Sequence, residues 1–169
     1  MNPSLPDIDQ VWQWLDTVPD PEVPVISLVD LGIIRELRYE DDDTLVVVVT
    51  PTYSGCPATT VINQDIEAKL RENGIEKLRL DRQLSPPWTT DWMSEKGREN
   101  LRNYGIAPPA QQSSDPKSIW IRPEGAPVVE CPQCGSKNTS LVSHFGSTPC
   151  KANYRCLDCL EPFDYFKCI

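Results

Sequence analysis

Leu45-Val-Val-Val-Val49, then Thr50-Pro-Thr-Tyr-Ser-Gly-Cys-Pro57, then Ala58, Ile62, Ile66 and Leu70 at helical spacing, decide the fold of the first part of this chain. Leu45 to Val49 is its longest apolar run, and four successive valines predict a buried strand at the centre of a sheet. The Pro, Ser and Gly residues that follow make a turn-rich loop. Pro57 suits the first helical position, the four apolar residues behind it form one buried face, and Asn73-Gly74 ends that helix. Ile75 to Asp81 is predicted as a further strand with Leu78 and Leu80 inward. Upstream, Ile33 to Tyr39 alternates, with Ile33, Leu37 and Tyr39 on one face and Glu36 and Arg38 on the other, and Asp41-Asp42-Asp43 is a polar turn. Before it, Asp7 caps a first helix whose apolar stripe is Ile8, Val11, Trp12, Leu15 and Val18, with Pro19 and Pro21 ending it. Helix, two strands, helix, strand is an α+β order: a small sheet covered by helices.

Downstream, Ser85-Pro86-Pro87 breaks the pattern, and one helix is predicted from Thr90 to Tyr104, with Gly105 past its end and Pro108-Pro109 beyond. Trp88 and Trp92 stand at its start, where paired tryptophans favour core or interface packing over a ligand stack. The polar stretch over residues 110–118 (AQQSSDPKS) is linker-like. The expected organisation is therefore an α+β domain over 1–82, a Trp-rich helical extension over 83–110, a linker over 111–127 and a cysteine-rich β domain over 128–169.

That last region carries the strongest motif. Cys131-Pro-Gln-Cys134 and Cys156-Leu-Asp-Cys159 are two C-x2-C pairs separated by 21 residues. Each pair suits a tight knuckle whose amides support thiolates around one tetrahedral ion, and loop closure tolerates the long spacer. Gly135 follows the first knuckle, where positive φ is useful. Short strand patterns at Leu141–Phe145, Asn153–Arg155 and Phe163–Phe166 complete a zinc ribbon with Cys131, Cys134, Cys156 and Cys159 as ligands to a structural zinc. A disulfide within each pair is disfavoured in a reducing compartment. An iron–sulfur cluster also takes four thiolates, but paired knuckles on a ribbon favour zinc. His144 could replace a cysteine, although four thiolates already complete the shell. Cys168 reads as an ordinary thiol, and Cys150 is open between a buried small residue and an auxiliary ligand. With about 40 residues this unit is too small for a large core, so metal binding is expected to hold it folded.

Composition excludes several classes. The chain of 169 residues has formal net charge −9; residues 1–110 hold 10 Lys/Arg and 19 Asp/Glu, and residues 111–169 hold 6 of each. No basic stripe exists to neutralise phosphates, so nucleic acid is not an expected partner. No run is long enough to span a membrane, and no secretory signal is evident, so a soluble cytoplasmic setting is expected. There is one histidine, and GxSxG, P-loop and GxGxxG patterns are absent. A carboxylate di-iron site, which needs Glu and Glu-x-x-His sets on a helix bundle, is not encoded, and a flavin or NAD site is equally unsupported.

Cys56, beside Gly55 and Pro57, is placed at the N-cap of the second helix, where the dipole and free amides should lower its thiol pKa. For an isolated Cys-Pro the plainer reading is a half-buried loop cysteine. Family resemblance shifts that balance. Asp20-Pro-Glu-Val-Pro24, Leu28-Val-Asp30-Leu-Gly32 and Gly55-Cys56-Pro57 occur in the order seen in the MIP18 family (domain of unknown function 59), and the chain resembles that family over roughly 5–82. The family is represented in iron–sulfur assembly factors. It implies a MIP18-like fold, Cys56 as the metal-handling residue for a transient cluster or iron, and Asp30 as polar support beside it or as a turn cap. Homodimerisation through this region is compatible with the family.

Over nearly its full length the chain also resembles the D subunits of the bacterial phenylacetyl-CoA epoxidase system. Trp88-Thr-Thr-Asp-Trp92, Tyr104-Gly-Ile-Ala-Pro-Pro109 and the tail from Phe145 to Cys168 carry this resemblance. It implies aerobic phenylacetate degradation, in which a di-iron oxygenase and an iron–sulfur flavin reductase convert phenylacetyl-CoA to its ring 1,2-epoxide. The expected function is an accessory subunit without catalysis of its own, assisting cluster assembly or maintenance in the reductase, with that reductase and the other subunits as partners. The alternative is a structural subunit that handles no metal. A cysteine nucleophile at Cys56 is disfavoured, because His144 lies in the other domain.

Overall fold

Helix α1 (Ile8–Leu15) begins where the Asp7 carboxylate accepts the Asp9 amide at 3.2 Å, and it buries Val11 and Leu15 completely. It ends at Leu15, ahead of the prolines. The stop is a turn: the Val18 amide returns to the Leu15 carbonyl at 3.1 Å, and the Leu28 amide then reaches the Val18 carbonyl at 2.9 Å. Asp20, itself buried, closes the next turn by accepting the amides of Glu22 (2.9 Å) and Val23 (2.8 Å).

Strand β1 (Ile34–Tyr39) pairs antiparallel with β2 (Leu45–Val49), which pairs parallel with β3 (Leu78–Arg82) through the crossover helix α2 (Thr59–Glu72). The sheet order β1-β2-β3 makes β2 central, and all five of its residues are buried. β1 departs from strict alternation. A bulge, with Ile34 opposite Val49 and Glu36 opposite Val48, makes Arg35 the extra residue. Ile34 and Leu37 are therefore both buried although three apart. Ile62, Ile66 and Leu70 form the inner face of α2. At its end Gly74 takes φ +88°, and the Ile75 amide bonds the Leu70 carbonyl at 3.0 Å. That closure delays β3 to Leu78, three residues beyond its expected start.

The structure is a computed structural model that describes residues 5–109 and 128–167. The chain divides into two units, 1–94 and 95–169. The helix predicted over Thr90–Tyr104 is two elements, a 3-10 turn at Thr90–Trp92 and α3 (Glu95–Tyr104). Met93, with ψ 133°, adopts extended backbone between them and breaks the hydrogen-bond ladder. Residues 83–94 thus fall in the first unit and α3 in the second.

The second unit contains β4 (Ile106–Ala107), β5 (Thr139–Ser143), β6 (Lys151–Cys156) and β7 (Pro162–Phe166) in the order β4-β7-β6-β5. β5, β6 and β7 form the antiparallel ribbon, and β4 adds a parallel edge to β7. Tyr154 packs against Phe163 (centroids 6.0 Å) and edge-on against Tyr165 (5.5 Å), among Ala107, Val129, Ala152, Cys131 and Cys156. The expected linker over 111–127 and Cys168 lie outside the described residues. Among the described residues no helix is long and apolar enough to cross a membrane.

Candidate functional site

Two backbone knuckles built on one plan hold four thiols together. In the first, the Cys131 amide bonds the Ser136 carbonyl at 2.8 Å; in the second, the Cys156 amide bonds the Glu161 carbonyl at 2.9 Å. Both join residues five apart, and both place a positive φ just after the second cysteine: Gly135 at +73° and Leu160 at +67°. The need at Gly135 was legible from glycine's conformational freedom. Its counterpart is a leucine, which no residue-type rule would flag.

The Sγ atoms of Cys131, Cys134, Cys156 and Cys159 all lie within 4.8 Å of one another. Cys131 is 3.7 Å from Cys159, and Cys134 is 3.6 Å from Cys156. A tetrahedral ion with metal–sulfur bonds of about 2.3 Å sets its ligands about 3.8 Å apart, so the four donors fit a single ion. A multi-iron cluster binds its thiolates through different irons and needs them more widely spaced. Charge supports the same fit. The Cys159 amide, joined by that of Asp158, outweighs desolvation and draws the Cys156 thiol down to about 7. Cys159 receives the Glu161 amide, yet desolvation and the sulfurs of Cys156, Cys134 and Cys131 push it up to about 12. A divalent cation resolves that competition by stabilising all four thiolates.

Asp158 joins the knuckles. Its carboxylate accepts the Ser136 hydroxyl and, at 2.8 Å, the Asn138 side-chain amide, and these two bonds hold it below the usual carboxylate range. Sequence reading passed over this residue, because an aspartate inside C-x2-C has no spacing signature.

The remaining candidates stand apart from the cluster. His144 is exposed and its carbonyl accepts Lys167 Nζ at 3.0 Å; the four-thiol set does not include it. Cys150 is buried, with its sulfur 3.0 Å from the Thr148 hydroxyl, and it too stands outside the set.

In the first unit Cys56 is half-buried and its thiol forms no disulfide. It does not occupy the N-cap. α2 begins at Thr59 with Ala58 in the cap position, so Cys56 precedes the cap by two residues and Pro57 is outside the helix. The reason is a tight turn: the Cys56 amide bonds Tyr53 O (3.1 Å), while its carbonyl accepts the Thr59 amide (3.2 Å) and hydroxyl (2.9 Å). Pro57 occupies a position in that turn where no donor is required. From the end of β3, Arg82 donates to Ser54 O at 2.6 Å and anchors the loop. A Cβ on Gly55 would meet nothing within 4 Å, so the chain's own packing does not require glycine there.

Asp30 is buried, and its carboxylate accepts the Ser94 hydroxyl at 2.6 Å while its carbonyl accepts the Ser94 amide at 2.8 Å. Trp88 Nε1 donates to Leu31 O at 3.0 Å, and the Trp92 backbone lies so close to Gly32 (φ +77°) that a Cβ would come within 2.6 Å of it. The Arg35 guanidinium stacks 3.6 Å from the Trp92 ring centroid. Residues 88–94 therefore strap the Asp30–Gly32 turn, a role visible in the sequence only as two tryptophans read as packing.

Comparison with known proteins places both units. The family described as "PaaD zinc beta ribbon domain" matches residues 117–167, and "Iron-sulfur cluster assembly protein" matches residues 8–76. The Escherichia coli (strain K12) protein named as the D component of 1,2-phenylacetyl-CoA epoxidase is 47% identical over 164 residues, 97% of this chain and 94% of that one. A Porphyromonas gingivalis Fe-S protein maturation auxiliary factor is 33% identical over 101 residues, 59% of this chain and 95% of its own. Among solved structures, a domain of unknown function 59 from Bacillus anthracis superposes with a TM-score of 0.51 at 25% identity, covering 55% of this chain and 89% of that one.

Proposed function

The chain belongs to the family of phenylacetyl-CoA epoxidase D subunits, and from that premise we propose that it assists assembly or maintenance of the iron–sulfur cluster in the reductase component of that system. Its first unit is the working part. Cys56 offers a thiolate that takes iron or a cluster as cargo and yields it to the client, while Asp30 fixes its own turn through Ser94. The second unit is a zinc ribbon: Cys131, Cys134, Cys156 and Cys159 hold one resident zinc, which supplies folding energy and no reaction. The other epoxidase subunits are its partners.

The observation that carries this reading is that the iron–sulfur assembly match over 8–76 contains a lone, half-buried thiol on a backbone-anchored loop. Such a thiol has no neighbouring thiols to complete a ligand shell, unlike the four clustered thiols, and is suited to exchange. The maturation factor aligned over nearly its whole length to 101 residues of this chain supports treating the ribbon as an added module.

The test is reductase produced beside the wild-type chain or beside Cys56→Ser, followed by iron and acid-labile sulfide analysis of the reductase. Loss of cluster content with the variant supports the proposal. Unchanged content would point instead to a structural subunit that handles no metal.

A further inference from the structure

We propose that Asp158 does more than fill its knuckle: it is the positioning residue that latches the two knuckles together and sets how slowly the ribbon releases its metal. This rests on the metal-site reading above, but no ligand is assigned to Asp158 itself. Asp158 lies in the second knuckle between Cys156 and Cys159, whereas both of its side-chain partners, Ser136 and Asn138, come from the segment just after the first. The contacts continue into the backbone. The Asn138 amide donates to the Ser136 hydroxyl at 3.0 Å, and the Leu157 amide donates to the Asn138 carbonyl at 2.8 Å. One carboxylate thus gathers the ends of both C-x2-C turns.

The consequence is kinetic. A four-thiolate site opens when one knuckle swings its pair of sulfurs away from the other pair. Without the latch, each knuckle is still closed by its own backbone bond, and the two are joined by the ion, the Leu157-to-Asn138 backbone bond and the Thr139–Cys156 end of the β5–β6 ladder. With it, the opening motion must also break two hydrogen bonds to a charged acceptor. Partners outside the ligand shell typically change metal affinity 10- to 100-fold. Asp158 and Asn138 are exposed and Ser136 is half-buried, so water competes for these bonds and the low end, about tenfold, is expected here. A resident metal that cannot open its shell is also the property that separates the ribbon from a cargo site.

The experiment loads the full-length protein with zinc and follows its transfer to a chromogenic chelator in excess. Asp158→Ala is expected to release zinc about tenfold faster than wild type. Asp158→Asn keeps one acceptor but turns its amide towards the other donor, and it is expected to fall between the two. Ser136→Ala combined with Asp158→Ala should be no faster than Asp158→Ala alone, because both remove one latch. Cobalt-loaded variants should keep the wild-type thiolate charge-transfer band, which a disturbed ligand shell would not. Release rates equal to wild type, or effects of the two substitutions that multiply, would overturn the latch while leaving the metal site standing. If Asp158→Ala does not load, the Asn variant decides by the same criterion. A wild-type protein that holds no metal at all would overturn the metal-site reading itself, and the latch with it.

Discussion

The two cysteine-bearing regions are fixed in opposite ways. In the first unit the largest completely buried side chains are aliphatic, among them Leu15, Leu28, Leu45, Ile66 and Leu70. Among the described residues of the second unit only Tyr154, Phe166 and Leu101 are large and buried to that degree, and Cys131 and Cys156 are themselves core residues. Where apolar area is plentiful, the fold does not need a cysteine's thiol. Where it is scarce, thiols that bind an ion would complete the core. The difference predicts that the same side chain is expendable for stability in one unit and indispensable in the other.

Removing the ribbon's ion is the harshest challenge to that contrast. Structural zinc contributes roughly 10–16 kcal/mol of apparent binding energy in small domains, more than a sheet of this size can replace. Chelation, or Cys156→Ser, is expected to abolish amide protection across β5, β6 and β7 and to flatten the near-UV signal of the Tyr154–Tyr165 pair. Protection in β2 should persist. Simultaneous loss in β2 and β6 would break the comparison.

The converse perturbation enters the aliphatic core. Leu70 is completely buried on the inner face of α2, so Leu70→Ala should cost about 2–5 kcal/mol through lost burial and a residual cavity. Denaturant unfolding followed in the first unit reads that loss, while zinc content stays at its wild-type value. A fall in zinc content would show that the ribbon depends on the first unit.

Between these lie effects of backbone geometry, where sequence reading reached its limit. Local periodicity gave α1, β2, α2 and the ribbon strands, because each follows from neighbours a few residues apart. It gave the four-thiol cluster because C-x2-C is itself a geometric statement. It missed the Arg35 bulge, which answers to pairing with Val48 and Val49, and the two-residue edge β4, which exists only through β7. It displaced the start of α2, because Pro57 is as suited to a turn as to a first helical turn. The Ser94–Asp30 and Asp158–Ser136 bonds join residues far apart in sequence, for which no local pattern exists.

Gly32 tests one such long-range constraint. A left-handed backbone costs an ordinary residue about 1–2 kcal/mol, and at Gly32 an added Cβ would also collide with the Trp92 backbone. Gly32→Ala should therefore destabilise the first unit by about 2 kcal/mol or more, read as a lower denaturant midpoint. A variant as stable as wild type would remove the strap from the forces shaping that turn.

The knuckles permit a smaller and opposite change. Leu160 pays for a left-handed backbone that Gly135 adopts freely, and its side chain is 58% exposed, so little packing offsets the strain. Leu160→Gly should stabilise the zinc-loaded ribbon by about 0.5–1 kcal/mol, the left-handed penalty less glycine's extra chain entropy. Thermal unfolding of the loaded protein measures it. A destabilised variant would mean that Leu160 makes contacts worth more than its strain.

The smallest expected change in stability belongs to Cys56→Ser. It exchanges sulfur for oxygen on a half-buried side chain whose backbone bonds to Tyr53 and Thr59 remain intact. Its effect on stability should stay within about ±0.5 kcal/mol, and the ribbon's zinc should be untouched. Cys156→Ser is the same chemical change and should unfold its unit. If Cys56→Ser instead costs several kcal/mol, Cys56 belongs to the core of the first unit, and the argument that its thiol is free for exchange loses its ground. If the variant is stable and zinc-loaded yet leaves the reductase without its cluster, the defect can be assigned to the missing thiol, because folding and the ribbon have both been held constant.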